Sequence, residues 1–111
     1  MKQKKNRTNR KAQSPFRLSK ARKILQDHLH ELRERYGVRT FWIFGSYLRG
    51  DQYKLSDLDV LVEFERTPSF FEFVQLERYL TKILRIKVDL VMKSALKPAI
   101  GRHILEEAQP I

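Results

Sequence analysis

A chain of 111 residues, 41% apolar and 32% charged, has the composition of one globular domain with a small core. It contains no cysteine, which excludes a disulfide framework and any thiolate metal site, and fits a reducing, cytoplasmic setting. No stretch approaches the roughly 18 apolar residues of a membrane span, and the basic N-terminus is followed by no apolar segment of the kind a secretory signal needs. The net charge of +10 is unevenly placed: residues 1–23 hold ten Lys/Arg and no acid, whereas the remainder carries thirteen of each sign. The body is therefore neutral, and its high overall charge describes only the first fifth of the chain.

Residues 1–14 have almost no apolar content and read as a basic disordered tail; residues 15–111 read as the folded domain. Ser14 suits a helix N-cap and Pro15 the first helical position. Leu18, Ala21, Leu25, Leu29, Leu32 and Tyr36 then recur at helical spacing until Gly37 ends the helix. Val38 to Phe44 is an aromatic and β-branched run of strand length. Residues 45–56 hold Gly45, Ser46, Gly50, Asp51 and Ser56, which is turn chemistry. In residues 57–64, Leu58, Val60, Val62 and Phe64 take one face of a strand and Asp57, Asp59, Leu61 and Glu63 the other. Pro68 breaks that strand, and Ser69 with Glu72 forms a capping box for a second helix carrying Phe73, Leu76, Leu80, Ile83 and Leu84. Residues 86–92 form a third strand. Pro98 opens a short helix with Ile100, Ile104 and Leu105, after which the chain forms an edge strand or frays. The order α-β-β-α-β-α predicts an α/β domain with a mixed sheet.

The chemistry concentrates in Gly45-Ser46 and, ten residues after Ser46, Asp57-Leu58-Asp59. A glycine directly after a strand lets backbone approach a ligand closely, and Ser46 adds a hydroxyl beside exposed N–H groups, a small phosphate cradle. Asp57 and Asp59, two apart in a strand, face the same way and suit a pair of divalent ions. Two aspartates at a strand's start are costly in the absence of a cation. Asp89, between Val88 and Leu90, brings a third carboxylate to the same face if its strand pairs beside Asp57 and Asp59. His28, His30 and His103 have no role in this scheme and are expected to be exposed.

FGSYLRGD and SDLDVLVEF, with KVDLV and KPAIGRHILEEA downstream, resemble the minimal nucleotidyltransferases of the polymerase-β superfamily. They resemble in particular the MNT antitoxins encoded beside HEPN toxins. The resemblance covers about residues 16–108. It implies ATP as the NTP donor, Mg²⁺ as cofactor and AMP transfer to a tyrosine hydroxyl of a HEPN ribonuclease toxin. It also implies that Gly45 and Ser46 hold the triphosphate, that Asp57 and Asp59 hold two metals, and that Asp89 holds the catalytic metal and helps deprotonate the acceptor. Arg49 is implied as a phosphate contact.

The basic tail departs from the family pattern. It suggests an RNA contact of steep salt dependence and little sequence reading. The alternatives to an enzyme are therefore a nucleic-acid-binding module driven by that tail, or an inert protein of the same fold that masks a partner. Phe70, Phe71, Phe73 and Tyr79 form an aromatic group on the second helix and are expected in the core. Some, Phe71 especially, fall off the apolar stripe, so the alternative is a partner surface, for which the apolar C-terminal segment from Ile104-Leu105 to Ile111 is the second candidate.

Overall fold

The computed structural model describes residues 18–45 and 57–111. The expected cap at Ser14 and Pro15, the basic tail, Ser46 and Arg49 lie outside the described residues. Helix α1 (Leu18–Tyr36) leads into strand β1 (Val38–Phe44); strand β2 (Leu58–Phe64), helix α2 (Phe70–Leu84) and strand β3 (Val88–Met92) follow. A single 3-10 turn (Lys93–Ala95) then precedes helix α3 (Pro98–Glu107) and a two-residue strand, β4 (Gln109–Pro110). The four strands form one sheet in the order β3-β2-β1-β4. β1 runs antiparallel to β2 and β4, and β2 runs parallel to β3, so the sheet is mixed as expected. No described helix is long and apolar enough to cross a membrane.

Both long helices pack on one face of the sheet. Ala21, Leu25 and Leu32 of α1 and Leu76, Leu80 and Leu84 of α2 meet Phe41 and Ile43 of β1, Leu58, Val60 and Val62 of β2, and Val88 and Leu90 of β3. Val38 joins this core although it stands three positions before Phe41, a spacing that plain alternation forbids. The reason is a bulge: Val38 pairs with Phe64 but Thr40 pairs with Glu63, so Arg39 is the extra residue that re-phases the strand.

Local chemistry fixes the ends of the elements. Gly37 takes φ +70° after α1, and its N–H donates to the Arg33 carbonyl at 3.1 Å, a left-handed helix stop. The capping box is present: the Ser69 hydroxyl accepts from the Glu72 N–H at 3.1 Å, and the Glu72 carboxylate accepts from the Ser69 N–H at 2.9 Å. The chain does not fray at its end. β4 pairs Pro110 with Trp42 and Gln109 with Ile43, and Arg22 reaches across to donate to the Gln109 side chain at 2.6 Å.

Two expectations change. His28 is half-buried rather than exposed; its Nδ1 donates to the Ile24 carbonyl at 2.8 Å, and its ring meets Tyr79 edge-on. The aromatic group of α2 is divided by the helix's own geometry: Phe73 and Tyr79 pack against the core, whereas Phe70 and Phe71 are 83% and 68% exposed.

Candidate active site

The face of the sheet turned away from α1 and α2 carries the acidic residues. Register neighbours share a face, so Phe44, Asp59 and Asp89 form one row across β1, β2 and β3. Trp42, Leu61 and Val91 form the next. Leu61 is fully buried yet outside the helix-side core, so this second face has an apolar floor of its own. Further along, Lys93 closes the row: its Nζ lies 3.8 Å from the Glu63 carboxylate and 5.0 Å from the centre of the Trp42 ring. The aspartates thus stand at one end of the sheet, with an apolar row and an ion pair behind them.

Asp59 and Asp89 sit directly opposite each other in the parallel β2–β3 pair. Neighbouring strands lie about 4.8 Å apart, so the two carboxylate-bearing positions are as close as sheet geometry allows. The β2–α2–β3 crossover produces this meeting, since it returns the chain to the edge of β2 in parallel register. Asp57 precedes β2 by one residue, and alternation puts it on the side of Asp59. Its carboxylate is 4.0 Å from Lys87 Nζ in an exposed ion pair that contributes little and holds it loosely. Among the described residues no three His, Asp or Glu side chains are gathered closely enough to enclose an ion between them. The structure brings Asp59 and Asp89 together and leaves Asp57 turned towards Lys87.

Gly45 stands beside Asp59. Its φ is +85°, a backbone state that favours glycine, and a Cβ built there would overlap the Asp59 carboxylate, whose Cγ would be 2.9 Å away. The close backbone approach expected of this glycine is therefore made first by a carboxylate of the protein itself. The donors offered by Asp57, Asp59 and Asp89 are all carboxylate oxygens, the hard set that suits Mg²⁺ over softer ions, and like charges in facing register positions favour a cation between them. On that chemistry the residues present fit the group.

Glu107, the last residue of α3, was not singled out by sequence. Its carboxylate accepts the Gly45 N–H at 2.9 Å. No sequence pattern marks it: it lies 62 positions from Gly45 and reads as one more acid near a helix end.

The Nucleotidyltransferase domain family model matches residues 25–111. Protein adenylyltransferase MntA of Thermococcus cleftensis is 50% identical over 90 residues, which is 81% of this chain and 91% of that protein. A solved chain described as a minimal nucleotidyltransferase superposes with a TM-score of 0.73 at 32% identity, covering 86% of this chain and 97% of the other. The fold also matches, at a TM-score of 0.60 and 19% identity over 81% of this chain and 70% of that one, a structure of the tri-AMPylated Shewanella oneidensis HEPN toxin in complex with its MNT antitoxin. Since the family model takes in all four strands and the helices between them, this chain belongs to the nucleotidyltransferase domain family and is one of its minimal enzymes.

Proposed function

We propose that this protein transfers AMP from ATP, with Mg²⁺, to a tyrosine hydroxyl of a partner protein, a HEPN-type ribonuclease toxin, and thereby acts as its antitoxin. The observation that carries the reading is the Asp59–Asp89 register pair set against the Gly45 turn, two carboxylates and a glycine backbone in close contact at one sheet end. The half-identical relative named a protein adenylyltransferase supports the choice of AMP and of a protein acceptor. We take the compartment as cytoplasmic because ATP is the donor.

In this reading the acceptor oxygen attacks the α-phosphorus, the bond from that phosphorus to the oxygen bridging it to the β-phosphate breaks, and pyrophosphate leaves. The proton of the acceptor hydroxyl passes to Asp89, the exposed member of the pair and so the one an incoming hydroxyl reaches. Asp57, Asp59 and Asp89 would hold the metal, and the chemistry it supplies there is neutralisation of charge on the attacking and leaving oxygens. Gly45, with Ser46 and Arg49, orients the triphosphate so that pyrophosphate departs in line with the attack.

The test is transfer itself. The protein encoded beside this one is incubated with it, Mg²⁺ and ATP labelled in the α-phosphate, then weighed by mass spectrometry. The wild type is expected to add one or more AMP units and to relieve toxicity, and Asp59→Asn to do neither. Equal relief by both, with no added mass, would show masking in place of catalysis.

A further inference from the structure

Strand β1 has two neighbours, and they end at different places. Against β2 its ladder runs to Phe44, paired with Asp59. Against β4 it stops earlier, at Ile43 paired with Gln109. Extending the antiparallel β1–β4 register two rungs sets Gly45 opposite Glu107. At that point the backbone ladder cannot continue, because Glu107 is the last residue of α3 and the main chain there is helical. A backbone N–H at a strand end beside a packed helix needs an acceptor. Gly45 N–H obtains one from the side chain of the residue that the register puts opposite: Glu107 Oε2 accepts it at 2.9 Å in a partly buried position.

This bond lies one residue from the chemistry on both sides. Gly45 precedes Ser46, and the Asp59 carboxylate rests where a Gly45 Cβ would be, with its Cγ within 2.9 Å of that point. If Gly45 shifts, Asp59 loses the surface against which it is set. We propose that Glu107 is a positioning residue for the transfer reaction. Its carboxylate replaces the missing ladder rung, fixes the Gly45 turn, and through it sets the direction in which Asp59 presents its oxygens. Glu107 touches neither nucleotide nor acceptor in this role. The inference rests on the nucleotidyl-transfer reading for its consequence, but the clamp itself is a property of the chain without ligand.

The two are separated by two measurements on the full chain. The first is hydrogen exchange of the Gly45 amide by NMR without nucleotide. The second is calorimetric affinity for Mg²⁺ with α,β-methylene-ATP, an analogue that cannot release pyrophosphate. Glu107→Met keeps the length of the stem and loses the oxygen acceptor; Glu107→Gln keeps an acceptor oxygen and loses the charge. With Met, Gly45 exchange should quicken and affinity should fall about 10- to 100-fold, the usual cost of losing a group that orients a ligand holder. With Gln, protection should return and affinity should recover to within about threefold of wild type. Affinity in the Met variant equal to or above wild type overturns the proposal, the latter showing that the carboxylate competes with phosphate for the Gly45 N–H. Should the Met variant not fold, Gln decides alone: protected Gly45 with a tenfold or larger loss of affinity makes the charge the working feature and overturns positioning. A wild type that shows no affinity for the analogue refutes the transfer reading, whatever the exchange data show.

Discussion

At Gly45 two requirements coincide, a φ of +85° and room for the Asp59 carboxylate where any other residue carries its Cβ. Gly45→Ala therefore meets a strained backbone, costing about 1–3 kcal/mol, and must also displace Asp59. Since a shift of about 1 Å in a reacting group's holder can cost on the order of 100-fold in rate, transfer should fall by at least that while the fold persists. Comparing the melting curve with the rate of partner labelling checks both parts; near-normal labelling would mean that Asp59 does not need this seat. The acidic pair was legible because strand alternation is a strict rule: Asp57-Leu58-Asp59 sends the leucine into the core and the acids away from it. Asp89 became legible once Val88 and Leu90 were seen to need the core face, which they occupy. Glu107 was illegible because its partner is set by the register of a two-residue strand, and nothing local in the sequence encodes a pairing 62 positions away.

The elements show how a small sheet manages its open edge. β3 is an edge strand, and its Val88 and Leu90 N–H groups turn from the sheet to side chains of α2: Thr81 Oγ1 accepts the first at 3.1 Å and Glu77 Oε2 the second at 2.9 Å. The same helix that fills the core thus blocks the strand against pairing with another chain. Leu90 is 5% exposed, so its N–H has little access to water if Glu77 is removed. Glu77→Ala should cost about 1–3 kcal/mol and promote association at high concentration. Denaturant melts with light scattering would show it, and unchanged stability would mean that water replaces the carboxylate. The α1–α2 contact carries a second polar device. Tyr79 donates to Glu31 at 2.9 Å, and Arg35 pairs with the other Glu31 oxygen while lying over the Tyr36 and Tyr79 rings. The Tyr79 hydrogen bond and then the Arg35 hydrogen bond hold Glu31 below its ordinary 4.5, while burial and then the Glu31 hydrogen bond push Tyr79 above its ordinary 10.0. Glu31's contribution is thus present above about 4.5 and lost as pH falls through its depressed value. Tyr79's contribution is present below about 10 and lost as pH rises through its elevated one. The stability difference between wild type and Tyr79→Phe should therefore shrink on acidification below the carboxylate range. A difference independent of pH would detach Tyr79 from Glu31. Periodicity read both long helices and three strands correctly. It could not read the bulge at Arg39, since a single inserted residue leaves composition and hydrophobicity unchanged while shifting every side chain beyond it.

On the scale of the molecule, the aspartates differ in exposure: Asp89 is exposed, whereas Asp57 and Asp59 are half-buried. An exposed Asp89 lets water compete with an acceptor, so in the proposed transfer the acceptor protein would itself complete the enclosure. Sequence nominated two apolar surfaces for that contact, near Phe71 and along the C-terminal segment, and topology separates them. β2 leaves the site at Asp59 and reaches Phe64 five residues later, about 16 Å away at ~3.3 Å per residue, and α2 begins beyond it with Phe70 and Phe71. Those rings therefore stand at the far end of the sheet. α3 runs the other way and ends at Glu107, bonded to the site's own glycine. Its Ile100 and Leu105 are 59% and 43% exposed, and Lys97 and Arg102 lie on the same helix end and body as an exposed basic rim. The last three residues pair along the edge of β1 and extend the same end of the sheet. An acceptor entering the aspartate end thus meets α3 first. Leu105→Glu should then raise the partner concentration needed for half-maximal labelling by about tenfold, an interface loss of roughly 1–2 kcal/mol. The rate at saturating partner and the affinity for Mg²⁺ with α,β-methylene-ATP should stay unchanged, because Leu105 touches neither. Phe71→Ser should leave labelling as it is. The reverse result, loss with Phe71→Ser and none with Leu105→Glu, would require the partner to embrace the molecule from the far end and reach the aspartates with an extended segment.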